Sequence, residues 1–209
     1  MPRAAFIVLD GLDGTGKSTQ CRLLADRLRA AGRDVVTCVD PGGTALGAHL
    51  RELLLHHQGE IAPACEALLF LASRAQLVHE VIRPALAAGR VVISDRFLLA
   101  NVVYQGHAAG LDVAQLWQVG GLSTGGLDPD LTLVLDLPVD EALARRGRPA
   151  DRMEDRGRAF QQRVRDGFRA EARRRPDTVR VVDARPVPEE VHEAVWREVN
   201  HVLATGPRP

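Results

Sequence analysis

Two kinds of hydrophobic pattern alternate along this chain. Short apolar runs rich in β-branched residues occur at 4–10, 34–39, 91–95, 131–136 and 179–183. They lack the apolar–polar alternation of a half-exposed strand, so each reads as a strand of a parallel sheet buried on both faces. Four of them end in a carboxylate: Asp10, Asp95, Asp136 and Asp183. Between them, apolar residues recur three and four apart at 17–31, 46–56, 64–88, 98–106, 113–122, 139–146, 154–175 and 188–203, which predicts helices. Gly32 and Gly89 follow two of these where a C-terminal cap belongs. Strand–helix alternation of this kind predicts a three-layer α/β fold, a five-stranded parallel sheet flanked by helices. Ligands of such folds bind beyond the carboxyl ends of the strands.

Composition narrows the picture. A chain of 209 residues is long enough for one core, and residues 1–209 read as a single domain. No apolar run approaches the roughly 18 residues of a membrane span. The apolar start is too short for a signal peptide, so a cytoplasmic protein without a membrane partner is expected. Cys21, Cys38 and Cys65 form no paired motif and read as buried free thiols. The formal charge is +0, which gives no nucleic-acid signature. Arginines crowd residues 145–175, yet Lys17 is the only lysine, so arginine must also do routine surface work. A solitary lysine at a motif position is the more telling observation.

That position is the run Gly11-Leu12-Asp13-Gly14-Thr15-Gly16-Lys17-Ser18, a full G-x-x-x-x-G-K-[ST] phosphate loop, followed by Thr19. It leaves a predicted strand and opens a predicted helix, the context the motif requires. Backbone N–H groups of the loop and the helix N-terminus can cradle the phosphates of ATP. Lys17 is expected to reach the β- and γ-phosphates, and the Ser18 hydroxyl to ligate Mg²⁺. Asp95, at a strand end, is expected to help hold that metal. The loop specifies a nucleotide and leaves the reaction open.

Four further segments resemble the thymidylate kinase family, in order and over nearly the whole chain. Asp40-Pro41-Gly42-Gly43-Thr44 with Leu50-Arg51 resembles the family's E-P-G-G-T…L-R, although Asp40 replaces the usual glutamate and Val39 a frequent arginine. Pro-Gly-Gly is a tight turn, and Thr44 suits a helix cap. The run 66–77 is similar to E-x-L-L-F-x-A-x-R-x-Q, with Phe70 and Arg74 one helical turn apart. By residue type alone, Phe70 fits a core and Arg74 and Arg51 fit a surface. Asp95-Arg96-Phe97, then Asn101 and Tyr104-Gln105-Gly106, resemble D-R-[YFH] and Y-Q-G. Residues 145–154 resemble a basic lid, R-x-R-x-x-D-R-x-E, with glycine and proline suited to a mobile loop at about 145–156.

The resemblance implies a P-loop NTPase fold with a short lid that transfers phosphate from ATP to dTMP, with Mg²⁺, in a homodimer to which the apolar stretch 64–88 contributes. It implies that Arg51 and Arg96 bind the acceptor phosphate and that Phe70, Arg74, Asn101 and Gln105 surround the base. Tyr104 would crowd the sugar's 2′ position, and Asp13 would bond its 3′-hydroxyl. Some family members carry a catalytic arginine in the phosphate loop. This loop has none, so the lid must supply it, from Arg146, Arg148 or Arg152, with Arg148 and Arg152 favoured. Lys17 and Arg96 complete the expected catalytic set. Two other readings stay open: a P-loop kinase for a nucleoside or another monophosphate, and a catalytically silent nucleotide-binding module.

Overall fold

The first strand, β1 (Ala5–Gly11), is buried at every position and runs through the centre of the molecule. Its alternate side chains go to opposite faces. Ala5, Ile7 and Leu9 join one apolar core with Leu24, Leu28, Val195 and Val199, whereas Phe6 and Val8 join a second with Leu71, Phe97 and Val102. A strand with both faces covered must be apolar throughout, which is why the run shows no alternation. Phe6 and Phe97 meet edge-to-face at 4.9 Å between ring centroids.

The computed structural model describes residues 4–145, 152, 153 and 156–205. The remaining strands are β2 (Val35–Val39), β3 (Val91–Asp95), β4 (Leu131–Asp136) and β5 (Val179–Asp183), in the order β2-β3-β1-β4-β5. All four pairings are parallel, with Leu9 opposite both Asp95 and Leu133. The helices are α1 (Lys17–Ala30), α2 (Ala45–His56), α3 (Pro63–Leu77), α4 (Arg83–Ala87), α5 (Leu98–Asn101), α6 (Val113–Thr124), α7 (Val139–Arg145), α8 (Arg158–Arg174) and α9 (Pro188–Thr205). The predicted three-layer α/β architecture with five parallel strands is what forms.

Three departures from the predicted elements have physical causes or consequences. The helix expected over 64–88 is interrupted by a π turn at Val78–Ile82, just before Pro84. Proline has no N–H to give to the carbonyl four residues back, and the wider turn accommodates its ring. The helix expected over 98–106 becomes α5 followed by a π turn, Val102–Ala108, that carries Tyr104 and Gln105. The helix expected from 154 starts at Arg158, because Gly157 stands before it at φ 80°, outside the helical region. The cysteines need correction too. Cys21 is buried, but Cys38 is half-buried and Cys65 is exposed at the start of α3.

Candidate active site

Loops leaving β1, β2 and β3 meet at the carboxyl end of the sheet. Residues 12–16 wrap into the start of α1, whose N-cap is Gly16 at φ 92° with no side-chain cap. Its first N–H groups are therefore left for an anion. Gly14 is required sterically: at φ 87° a Cβ would lie 2.1 Å from the Ala142 carbonyl oxygen. Thr15 Oγ1 donates to the Leu12 carbonyl at 2.8 Å and tightens the turn. Lys17 is buried and donates from Nζ to the Leu12 carbonyl at 2.7 Å and to Asp13 at 3.4 Å.

Across the loop, Ser18 Oγ donates to Asp95 Oδ2 at 2.7 Å. A hydroxyl beside one carboxylate is a donor set suited to Mg²⁺, which takes one or two carboxylates and fills its shell with phosphate oxygens and water. The next residue, Arg96, holds φ 70°, the one positive φ among the described non-glycine residues. Strained backbone of this kind persists where surrounding contacts over-determine it, and Arg96 has many. Its Nη1 reaches Gly11 O at 2.9 Å and Asp10 at 3.2 Å, and its Nη2 reaches Asp13 at 2.6 Å. Burial works against the Arg96 charge, but Asp13, Tyr104 and Asp10 outweigh it and keep the guanidinium protonated.

The two acids respond oppositely. Burial pushes the Asp10 carboxyl up to about 6, against the opposing charges of Arg96 and Lys17. Burial also works to raise Asp13, yet Arg96 and Lys17 together overcome it and hold that carboxyl below the usual carboxylate range. Asp13 is thus a firm anion under Arg96. Asp10, whose Oδ2 has no hydrogen-bond partner among the described residues, is a marginal one.

On the side of β2, Arg74 is one of the largest fully buried side chains, not a surface residue. Its Nε donates to Asp40 Oδ2 at 2.5 Å and its Nη1 to Asn101 Oδ1 at 3.0 Å. Asp40, standing where the family usually has the longer glutamate, is therefore the counter-charge of Arg74. Burial raises its carboxyl, with Arg74 the main opposing influence. Thr44 caps α2 as expected, accepting from Gly47 N at 2.9 Å. Arg51, in the same helix, donates to the Pro41 carbonyl at 2.8 Å and is half-buried.

One cleft of about 600 Å³ collects these groups. Its walls include Asp13, Gly14, Gly16, Lys17, Ser18 and Thr19 on one side, with Arg51, Phe70, Arg74, Asn101, Tyr104 and Gln105 on the other. Asp95 and Arg96, at the end of β3, line the same cleft. Gly11, Leu12 and Thr15 stay buried beneath the loop.

The lid expectations divide. Arg146 and Arg148 fall outside the described residues. Arg152 is described, and it does not line the cleft. Its Nε donates to the Leu54 carbonyl at 2.8 Å and its Nη2 to Glu66 Oε2 at 2.5 Å. Arg156 also donates to Glu66 Oε2 and lies over the Phe160 ring. Residue patterns gave little warning of Asp10 and Glu66. Asp10 was visible only as one more strand-terminal acid, and Glu66 only as the first letter of a motif.

A parallel sheet, a glycine-rich loop running into α1, a strand-end Asp95 on Ser18 and a second polar wall facing them define a P-loop phosphotransferase. The thymidylate kinase family model matches residues 9–195. Among relatives named thymidylate kinase, the chain is 48% identical to one from Rhodopirellula baltica, over 91% of this chain and 78% of that one. It is 46% identical to one from Thermomicrobium roseum, over 97% and 98%. The solved structure of thymidylate kinase from Ehrlichia chaffeensis superposes with a TM-score of 0.78 at 32% identity, covering 95% of this chain and 99% of that one. The chain belongs to the thymidylate kinase family.

Proposed function

We propose that this protein transfers the γ-phosphoryl group of MgATP to dTMP, giving dTDP and ADP, a step toward dTTP, within a single domain. The observation that carries the reading is the shared cleft. A phosphate loop forms one wall, Arg51, Phe70 and a buried Arg74–Asn101 pair form the other, and Arg96 lines the same cleft. A donor triphosphate fits the first wall and a pyrimidine monophosphate the second. Assay of MgATP with a panel of nucleoside monophosphates tests it.

In this reading Gly11–Ser18 and Thr19 hold the ATP phosphates, and Lys17 leaves Leu12 and Asp13 to meet the β- and γ-phosphates. Ser18 and Asp95 would hold Mg²⁺. When bound there, the metal neutralises charge on the β- and γ-oxygens. Arg51 and Arg96 grip the acceptor phosphate and bring its oxygen in line with the γ-phosphorus. That oxygen is already anionic at neutral pH, so the chain need not supply a strong base. Arg96, held at a fixed angle by Asp10, Asp13 and Gly11, costs little reorganisation when charge shifts across it. Phe70 lies against the base, Arg74 and Asn101 recognise its polar edge with Gln105 behind Asn101, and Asp13 takes the 3′-hydroxyl.

Arg148 would bring positive charge to the transferring group on lid closure. Arg152 would do so only after releasing Glu66. No helix among the described residues is long and apolar enough to cross a membrane. We assign the reaction to the cytoplasm, with no nucleic acid as partner. We also assign the chain to a homodimer to which the apolar stretch 64–88 contributes, where α3 leaves Leu68 exposed. Light scattering of the pure chain reads that state, and a monomer at assay concentration would contradict it.

Tyr104 closes the floor of the cleft beneath the sugar. Its ring lies 5.2 Å from the Arg96 guanidinium and packs on Phe160 and Phe168 at 6.3 Å. Tyr104→Ala should lower the preference for dTMP over its ribonucleotide counterpart by roughly tenfold, the scale of discrimination by one pocket wall. The packing lost with the ring lowers stability as well, so the ratio of kcat/KM values is the quantity to compare. An unchanged ratio would remove Tyr104 from the sugar gate.

A further inference from the structure

Buried polar side chains run in one line from the base of the lid to the base-reading wall. Glu66 Oε2 receives Arg152 and Arg156, and its Oε1 accepts from Gln105 Nε2 at 2.9 Å. Gln105 Oε1 accepts from Asn101 Nδ2 at 2.7 Å, and Asn101 Oδ1 accepts from Arg74 Nη1 at 3.0 Å. Glu66, Gln105, Asn101 and Arg74 are all at most 2% exposed.

The ends of this line dictate its direction. A carboxylate held by two guanidiniums can only accept, so it takes the NH₂ end of Gln105. A guanidinium can only donate, so Arg74 takes the oxygen end of Asn101. The two amides between must then run head-to-tail. Reversing either would set donor against donor or acceptor against acceptor among side chains at most 2% exposed.

We propose that Glu66 is a positioning residue for base specificity: by fixing the direction of the Gln105–Asn101 relay it turns Asn101 Oδ1 to the cleft as an acceptor beside the Arg74 donor. This rests on the reading of the cleft as the dTMP site. Asn101 Oδ1 has one lone pair on Arg74 and a second to offer, and Arg74 keeps further N–H groups. A donor beside an acceptor matches thymine, whose O4 accepts and whose N3–H donates. Cytosine presents an amino donor and an unprotonated ring nitrogen at the same edge, and both would be opposed. Uracil shares the edge of thymine and would be treated alike.

Glu66→Gln removes the direction-setting charge at nearly constant shape. Gln105→Met cuts the relay while leaving Glu66 with both arginines, and serves if the first variant fails to fold by thermal melting. Binding of dTMP, dUMP and dCMP to each folded variant, by titration calorimetry, is the readout, with KM for ATP beside it. The preference for dTMP over dCMP should fall by roughly tenfold or more, the scale of a mispaired buried polar group. The ratio of dTMP to dUMP and the KM for ATP should hold, which a general loosening of the fold would not leave intact. A folded variant that keeps the wild-type ratio of dTMP to dCMP would overturn the proposal. A wild-type chain that fails to bind dTMP would instead overturn the reading of the site.

Discussion

Replacing Lys17 by alanine should lower kcat by roughly a thousandfold or more, the scale of losing a preorganised charge on a transferring phosphoryl group. No other lysine exists in the chain to substitute for it. Arg96 cannot take its place, since its guanidinium is held by Asp10, Asp13 and the Gly11 carbonyl. The loss should be chemical rather than structural. Lys17 gives one close hydrogen bond to the Leu12 carbonyl, which keeps its bond from Thr15 Oγ1, so the loss costs about 1 kcal/mol. Thermal melting should therefore show a folded protein. Lys17→Arg should recover little, because a planar fork does not replace a compact ammonium inside this turn. Turnover of the alanine variant within tenfold of the wild type would remove Lys17 from the chemistry.

Arg96 carries the second large effect, and here stability and activity separate. Arg96→Ala and Arg96→Gly both remove the guanidinium that joins Asp10, Asp13 and Gly11. Each should lower kcat by roughly a hundredfold to a thousandfold, as loss of a preorganised donor does. The glycine variant should be the more stable of the two by about 1 kcal/mol, because at φ 70° glycine has no Cβ to crowd the backbone. The pH dependence follows from Asp10. Its folded pKa, about 6, lies above the ordinary 3.8, so folding takes up a proton between those values. Stability from this group is full below 3.8 and is lost as pH rises through about 6. Removing Arg96 takes away the main opposing charge and raises the carboxyl further. The loss then extends to higher pH, and both variants should be more destabilised relative to wild type at pH 8 than at pH 5. Melting curves at the two pH values check this. Equal destabilisation at both would break the link between Arg96 and Asp10.

The parts of this molecule that were legible in the sequence are those whose physics is local. The β1 run is apolar because both its faces are covered. The glycine-rich loop is recognisable because Gly14 has no room for a side chain and Gly16 leaves α1 uncapped. Cap signals placed Thr44 correctly, and Asp95 stands at its strand end. What the sequence hid depends on distant partners. Arg74 resembles any surface arginine until Asp40, from another strand end, neutralises it in the interior. Arg152 had the spacing of a lid arginine, yet its side chain is engaged by α2 and Glu66. Nothing in a one-dimensional pattern reveals that Glu66 and Gln105, 39 residues apart, share a hydrogen bond. The π turns were hidden for a related reason. Pro84 marks where one should fall, but the turn at Val102–Ala108 has no such residue.

The assignment of both walls of the cleft meets its most direct test in one steady-state measurement. With MgATP as donor, kcat/KM is compared for dTMP, dUMP, dCMP, AMP and thymidine on the unmodified protein. Turnover is expected with dTMP and with dUMP, whose polar base edges are the same, and little with dCMP, AMP or thymidine, which lacks the phosphate that Arg51 and Arg96 would hold. Turnover of thymidine or AMP equal to that of dTMP, or ATP binding with no transfer to any acceptor, would contradict it.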